Sequence, residues 1–321
     1  MSTPTTTRAQ VIDAFGDPDG FHAATLPLAA PGAGQVQIRV VAAAVNPVDL
    51  STRAGKNIPP EAARFPMVVG WDAAGTIARL GDGVAGWRVG DRVAAMTFQP
   101  RDQNGTYAQY VNLAADLVAR VPDGLGLEQA ATLPLAGLTA SQLVRWADLR
   151  PGATLLVNAP AGAVGRLVVQ LAARGGIAVV AVAKPADRDF VTGLGAAAVV
   201  ERGDFAAAVR DLHPGGVDAA IDLVGGAAAR AALAAVRDGG AYASTVPPYI
   251  DPTGPSDAAR GIRFAILIVH PDTADLAGLL AAADRGQLTS GIAHTYPLAG
   301  AAEAHRRQAQ GGLRGKLVLL P

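Results

Sequence analysis

Apolar and polar positions alternate from Val36 and then run wholly apolar to Val41, and similar short runs recur at 66–70, 75–80 and 92–96. Turn clusters separate them: Pro31-Gly-Ala-Gly, Gly81-Asp-Gly and Gly90-Asp. Strand-like runs at this spacing predict a barrel or sandwich. A strand over 107–113 closes the region, and Pro122-Asp-Gly reads as a boundary turn. The period then changes. Helical spacing over 127–149 is interrupted by Pro134 and Gly137. From Thr154 strand and helix alternate: strand 154–157, helix 164–174, strand 177–183, helix 187–194, and further apolar strands at 198–200, 217–222 and 240–244. Continuous apolar strands between helices predict a parallel sheet covered on both faces. One more apolar strand (264–269), a helix at about 273–285 and a last strand, 316–320, complete the chain.

Length adds a domain count. At roughly 100–200 residues per domain, 321 residues make two. The 27 basic and 27 acidic side chains cancel, which argues against a nucleic-acid binder. Half the residues are hydrophobic, so a large core is affordable and disorder is excluded. No apolar run reaches the ~20 residues of a membrane helix. The Thr-rich start has no apolar segment of the signal-peptide kind. There is no cysteine, hence no disulfide, thiol nucleophile or thiolate metal site. A cytoplasmic, membrane-free protein is the expectation. Lysine occurs only at 56, 184 and 316, against 24 arginines, which makes each lysine informative.

The segment Leu155-Leu-Val-Asn-Ala-Pro-Ala-Gly-Ala-Val-Gly joins a strand to a helix and approximates the dinucleotide fingerprint, with Pro160, Gly162 and Gly165 in the glycine slots. Gly162 lets the backbone approach a pyrophosphate, and Gly165 lets the helix pack tightly on the strand. The exposed amides and dipole at the helix start favour the anion. Pro160, Ala161, Gly162, Ala163 and Val164 are therefore expected at the coenzyme; the plain alternative is a tight strand–helix turn. An NAD site places Asp or Glu about 20 residues beyond the glycines. Here the next strand ends in Ala183-Lys184, with Arg188 one turn later and no acid before Asp187. Lys184 and Arg188 suit a 2′-phosphate, so NADPH is the expected coenzyme.

The whole chain resembles the medium-chain dehydrogenase/reductase superfamily, in its zinc-independent quinone oxidoreductase branch. The blocks carrying the resemblance run in order: Phe15-Gly-Asp-Pro, Ala44-Val-Asn-Pro-Val-Asp-Leu with Arg53 and Gly55, Gly70-Trp-Asp-Ala-Ala-Gly, Gly90-Asp-Arg-Val, Gly105-Thr-Tyr-Ala-Gln-Tyr-Val, Ala130-Ala-Thr-Leu-Pro-Leu-Ala-Gly-Leu-Thr-Ala, Ala159-Pro-Ala-Gly-Ala-Val-Gly and Gly315-Lys-Leu-Val-Leu. It implies an α/β protein: a GroES-like β-barrel catalytic domain from 1–124 and 292–321, a doubly wound Rossmann domain at 125–291, and a coenzyme cleft at their junction. Zinc-dependent relatives bind the catalytic metal with Cys and a Gly-His-Glu motif. Here Asn46 stands at the first position and Trp71-Asp72 at the second, and no two of the five histidines have ligand spacing; no metal is expected.

The resemblance assigns Thr139 to the nicotinamide end, and Asn46 to the nicotinamide ribose or the substrate carbonyl. It places Arg314 and Lys316 near the coenzyme phosphates. Leu223, Val224, Val246 and Pro247 follow strands of the sheet, where adenine and ribose bind. Asp91 and Asp222 read as structural carboxylates. Quinone reductases of this kind often carry tyrosines after the Asn-Pro-x-Asp block. Those positions here are Ser51 and Asn57, leaving Ser51 and Tyr107 as stand-ins. A loop over 247–261 is long enough to cover a site, and strand 264–269 resembles the edge through which such proteins form homodimers. The expected activity is hydride transfer to a quinone or an α,β-unsaturated carbonyl. A tailoring enzyme (an enoyl reductase or a cyclase acting on a polyketide-like intermediate) and a non-catalytic NADPH-binding sensor or structural protein stay open.

Overall fold

A computed structural model describes residues 4–246 and 259–321; Pro247 and most of the loop expected over 247–261 lie outside the described residues. The chain folds as two compact units, Met1–Leu138 with His270–Pro321, and Thr139–Val269. These change over at Leu138 and His270; the boundaries that the resemblance implies are 124 and 291. Pro134 and Gly137 do not break the helix Pro134–Ala147. Proline fits the first turn, where no amide partner is needed, and Gly137 lies where a Cβ would come within 3.0 Å of Leu279.

The first unit is built on β-strands. They are β1 (Thr6–Ile12), β2 (His22–Pro27), β3 (Gln35–Val45), β4 (Met67–Val68), β5 (Asp72–Leu80), β6 (Arg92–Met96), β7 (Tyr110–Ala114) and β8 (Val118–Arg120). In the second unit follow β9 (Thr154–Asn158), β10 (Ala178–Ala183), β11 (Ala198–Glu201), β12 (Val217–Asp222), β13 (Val236–Ser244) and β14 (Arg263–Ile266). The last two, β15 (Ile292–Pro297) and β16 (Lys316–Leu320), return to the first unit.

One sheet of that unit runs β15-β16-β3-β5-β6-β8, with β7 also on β3; the other runs β2-β1-β4. Their core packs Ile12, Ile38, Ile77, Met67 and Tyr107. Register decides what meets at one end of the larger sheet. Val45 pairs with Leu317 and Ala44 with Asp72, so Asn46, Asp72 and Lys316 are brought to neighbouring positions. Ala42, Ala43 and Ala44 are wholly buried, and such small side chains let the sheet be covered closely there. The helix Ala301–Ala309 was not anticipated: its polar composition hides the three buried positions Ala301, Ala304 and His305.

The second unit is a parallel sheet in the order β11-β10-β9-β12-β13-β14. This is the doubly wound order, with its reversal between β9 and β12, where open α/β sheets bind ligands. Among the described residues no helix is long and apolar enough to cross a membrane.

Candidate functional site

In the second unit β9 leads into the glycine turn. Ala159 takes the left-handed conformation (φ +53°), a cost of about 1 kcal/mol for a residue with a Cβ. The Gly162 amide donates to its carbonyl at 3.1 Å. Gly162 caps the helix Ala163–Arg174, whose first amides have no intrahelical acceptor. A Cβ on Gly165 would stand 2.2 Å from the Ala159 oxygen; on Gly162 it would meet nothing nearer than 3.4 Å. The two glycines thus have separate reasons, one of packing and one that the protein's own atoms do not require.

Beyond the carboxyl ends of β9, β10 and β12 lies a cavity of about 340 Å³, bordered by Asn158, Ala159, Val182, Arg202, Phe205 and Val224. Asp222, wholly buried, ties together Asn158 and Val224 of this border. It accepts from Asn158 Nδ2 (3.1 Å), Tyr242 Oη (3.2 Å), Ser244 Oγ (3.0 Å) and the amides of Val224 and Gly225 (both 3.1 Å). Leu223 and Val246 are half-buried beside this end of the sheet. Lys184 is exposed and precedes the single turn Pro185–Asp187. Arg188 donates to the Val199 carbonyl (3.2 Å) and lies 4.0 Å from Glu201. Thr139 is buried in its helix. Arg202 was missed by sequence reasoning; its place just past the carboxyl end of β11 is the signal that could have found it.

In the first unit Asn46 and Tyr107 belong to one buried network with Asp49, Asp72, His305 and Lys316, of which Ser51 is not part. Lys316 donates to Asn46 Oδ1 and lies 3.9 Å from Asp72. Asn46 Nδ2 donates to Asp72 at 3.2 Å and, at 3.5 Å, to Asp49. The Asn46 amide donates to Asp49 Oδ2 at 2.7 Å, and the Leu135 amide to Asp72 at 3.2 Å. Tyr107 donates to Asp49 at 3.0 Å and stands 3.1 Å from His305 Nε2; His305 Nδ1 stands 3.2 Å from Arg53. An arginine only donates, so Nδ1 accepts, Nε2 carries the proton, and hydrogen bonds run one way: Arg53 to His305 to Tyr107 to Asp49. Asp49 Oδ1 is buried without a partner.

Burial governs the titration of this cluster. Asp49 is pushed up to about 7, first by burial and then by the charge of Asp72. Burial raises Asp72 against the pull of Lys316, and lowers Lys316 against the pull of Asp72 and Asp49. Burial and then the Asp49 charge push the Tyr107 hydroxyl far up. His305 is brought down to about 3 by burial and the Arg53 charge, which agrees with a neutral imidazole. Ser51 is half-buried on the helix Pro47–Arg53. Arg314 and Lys316 part company: Arg314 is exposed, Lys316 sealed. Asp91 is the expected turn carboxylate, accepting from the Arg88 amide at 3.0 Å.

Among known proteins, the family described as "Alcohol dehydrogenase GroES-like domain" matches residues 32–123, and that described as "Zinc-binding dehydrogenase" matches 194–319. A 2-haloacrylate reductase of a Burkholderia species is 31% identical over 336 residues, 98% of each chain. The solved quinone oxidoreductase of Coxiella burnetii superposes with a TM-score of 0.90 at 29% identity, covering 98% of this chain and 99% of that one. A mycobacterial protein solved in complex with NADPH gives a TM-score of 0.86 at 30% identity, covering 98% and 100%.

Proposed function

The chain belongs to the medium-chain dehydrogenase/reductase superfamily, in its quinone oxidoreductase branch, and from that membership we propose that it is an NADPH-dependent, metal-free reductase of a quinone or an α,β-unsaturated carbonyl. The observation that carries the coenzyme choice is the end of β10, where exposed Lys184 follows Ala183 and no carboxylate precedes Asp187. A diphosphate would meet the turn from Pro160 to Val164, and adenosine the cavity beside Val182, Arg202 and Val224. Lys184 and Arg188 would hold the 2′-phosphate, with Thr139, Leu223 and Val246 assigned to the remainder. The relative bound to NADPH supports the same choice.

The donor set does not fit zinc. Where metal ligands would stand there are an amide, an indole and one carboxylate, and Lys316 already supplies a positive charge to Asn46 and Asp72. Among the described residues no group of three or more His, Asp or Glu could hold an ion. When bound, the coenzyme supplies a hydride to the acceptor. The chain's own task is to hold the charge that grows on the acceptor oxygen. In this reading Asn46 serves the reacting end, its amide oriented by Lys316 and Asp72. Ser51 offers a hydroxyl, and Tyr107 is a positioning residue that fixes Asp49. The absence of cysteine fits a cytoplasmic setting.

The test is NADPH oxidation with a panel of quinones, enones and 2-haloacrylates. Turnover with at least one class is expected, and Lys184→Glu should weaken NADPH about tenfold or more while moving NADH little. Binding without consumption of any acceptor would favour a sensor, and equal loss for both coenzymes would overturn the 2′-phosphate assignment. The reading includes a homodimer through β14 and the run to Val269, where Ile266 and Ile268 are 40% and 72% exposed; an unpaired apolar edge invites pairing. Sedimentation should give twice the 32.4 kDa chain mass, and Ile268→Lys a monomer; a wild-type monomer would refute it.

A further inference from the structure

Arg166 lies in the first turn of the helix that Gly162 caps. It is 7% exposed, and its Nε is buried without a hydrogen-bond partner. Its guanidinium carbon lies 5.1 Å over the ring of Phe190. That contact is cationic but not ionic: among the described residues no carboxylate pairs with Arg166. Gln170, one turn on, donates to its backbone carbonyl (2.8 Å). Burial alone pulls the guanidinium down, with no acid acting against it. An arginine drawn largely out of water without an anion is costly, because its charge is not compensated, and here Nε is the donor left unmet.

The direction of the side chain shows where an anion would come from. Helical side chains tilt toward the N-terminus of their helix, so Arg166 leans to the same end as the glycine turn. Phe190 belongs to the helix Arg188–Gly193, which opens with Arg188 and is preceded by Lys184. Arg188 is already engaged with Val199 and Glu201. Through Phe190 the guanidinium is thus tied to the helix that the two surface cations open and precede, and it is the most buried charge of the three.

We propose that Arg166, stacked on Phe190, is a specificity-determining ligand of the coenzyme's 2′-phosphate, held unpaired until that phosphate arrives. The inference rests on the NADPH reading above and adds to it a cation that no fingerprint position supplies. A phosphate needs several donors; a largely buried arginine already held against Phe190 donates without the entropy that exposed Lys184 must lose.

Titration calorimetry of Arg166→Met with NADPH, NADH and 2′,5′-ADP tests it. The variant should weaken NADPH and 2′,5′-ADP by about tenfold to a hundredfold and leave NADH within about threefold. Without coenzyme its Tm should equal or exceed that of the wild type, since an uncompensated charge has gone, and Arg166→Lys should recover part of the NADPH affinity. Equal losses for NADPH and NADH, or NADPH bound as tightly as by the wild type, overturn the assignment. A lowered Tm with both affinities retained makes Arg166 a packing residue and also overturns it. If the wild type binds neither NADPH nor 2′,5′-ADP, the coenzyme reading itself has failed, a result distinct from failure of Arg166 alone.

Discussion

Lys316→Met is expected to cost about 3–5 kcal/mol of folding stability at pH 8, because removing one partner leaves buried carboxylates uncompensated. Asp49 and Asp72 are wholly buried, and Lys316 is the ammonium that faces Asp72. The sign of the pH dependence follows from the carboxyls. Each has a folded pKa above its unfolded one, so the folded state binds more protons and stability falls as pH rises through that interval. In the wild type the Asp49 interval runs from 3.8 to about 7. His305 works oppositely: its folded pKa, about 3 against 6.5, takes stability away as pH falls. The two slopes offset each other between about pH 4 and 6.5. In Lys316→Met the carboxyls rise further, so the deficit should be largest above pH 7 and shrink toward pH 4. Denaturant unfolding across pH measures it, and Lys316→Met with Asp72→Asn should regain much of the loss. A deficit under about 1 kcal/mol, or one that is flat with pH, would mean that the charges do not depend on one another.

The two glycines of the turn should separate cleanly. Gly165→Ala puts a Cβ 2.2 Å from the Ala159 oxygen and 2.9 Å from the Pro160 Cα, both backbone that cannot swing aside. The clash should outweigh the ~1 kcal/mol that alanine gains in a helix and cost about 1–3 kcal/mol net. Gly162→Val places its Cβ at an ordinary 3.4 Å with backbone angles (φ −71°, ψ 172°) open to any residue. Its Tm should stay within a few degrees of the wild type while NADPH titration becomes undetectable. An unchanged titration would remove the pyrophosphate from this turn. Equal destabilisation by both substitutions would show that the distinction between packing and ligand approach is false.

What the sequence disclosed follows the range of the interactions. The parallel sheet was readable because β9 and β10 are apolar runs and β12 has the apolar centre Ala219-Ala-Ile, and the helix Ala163–Arg174 because its apolar face repeats locally. The turn announced itself through Gly162 and Gly165. The network around Asp49 did not. Lys316, Asp72, Asn46 and Tyr107 stood in recognisable blocks, but only strand register joins Asn46 to a lysine 270 positions later. His305 and Arg53, 252 apart, carry no local pattern that would pair them. Arg166 was hidden for a different reason: on a helix, arginine is an ordinary surface residue, and neither its burial nor its lack of an anion is written in its neighbours.

The strand order of the first unit has a consequence for biosynthesis. Ala43, Ala44 and Val45 of β3 take their partners from Leu317–Leu319 of β16, and the ammonium that balances Asp72 arrives with the same strand. At translation rates of 5–20 residues per second, the ribosome needs roughly 15–50 s to travel from Asn46 to Lys316. Through that interval the parallel sheet, contiguous in the chain, can already form. The older β-rich portion waits with one strand flank open and two acids lacking a counter-charge. It is in this window that a holdase chaperone should find the nascent polypeptide, and that synonymous codons slowing elongation after β14 should do the most damage to yield.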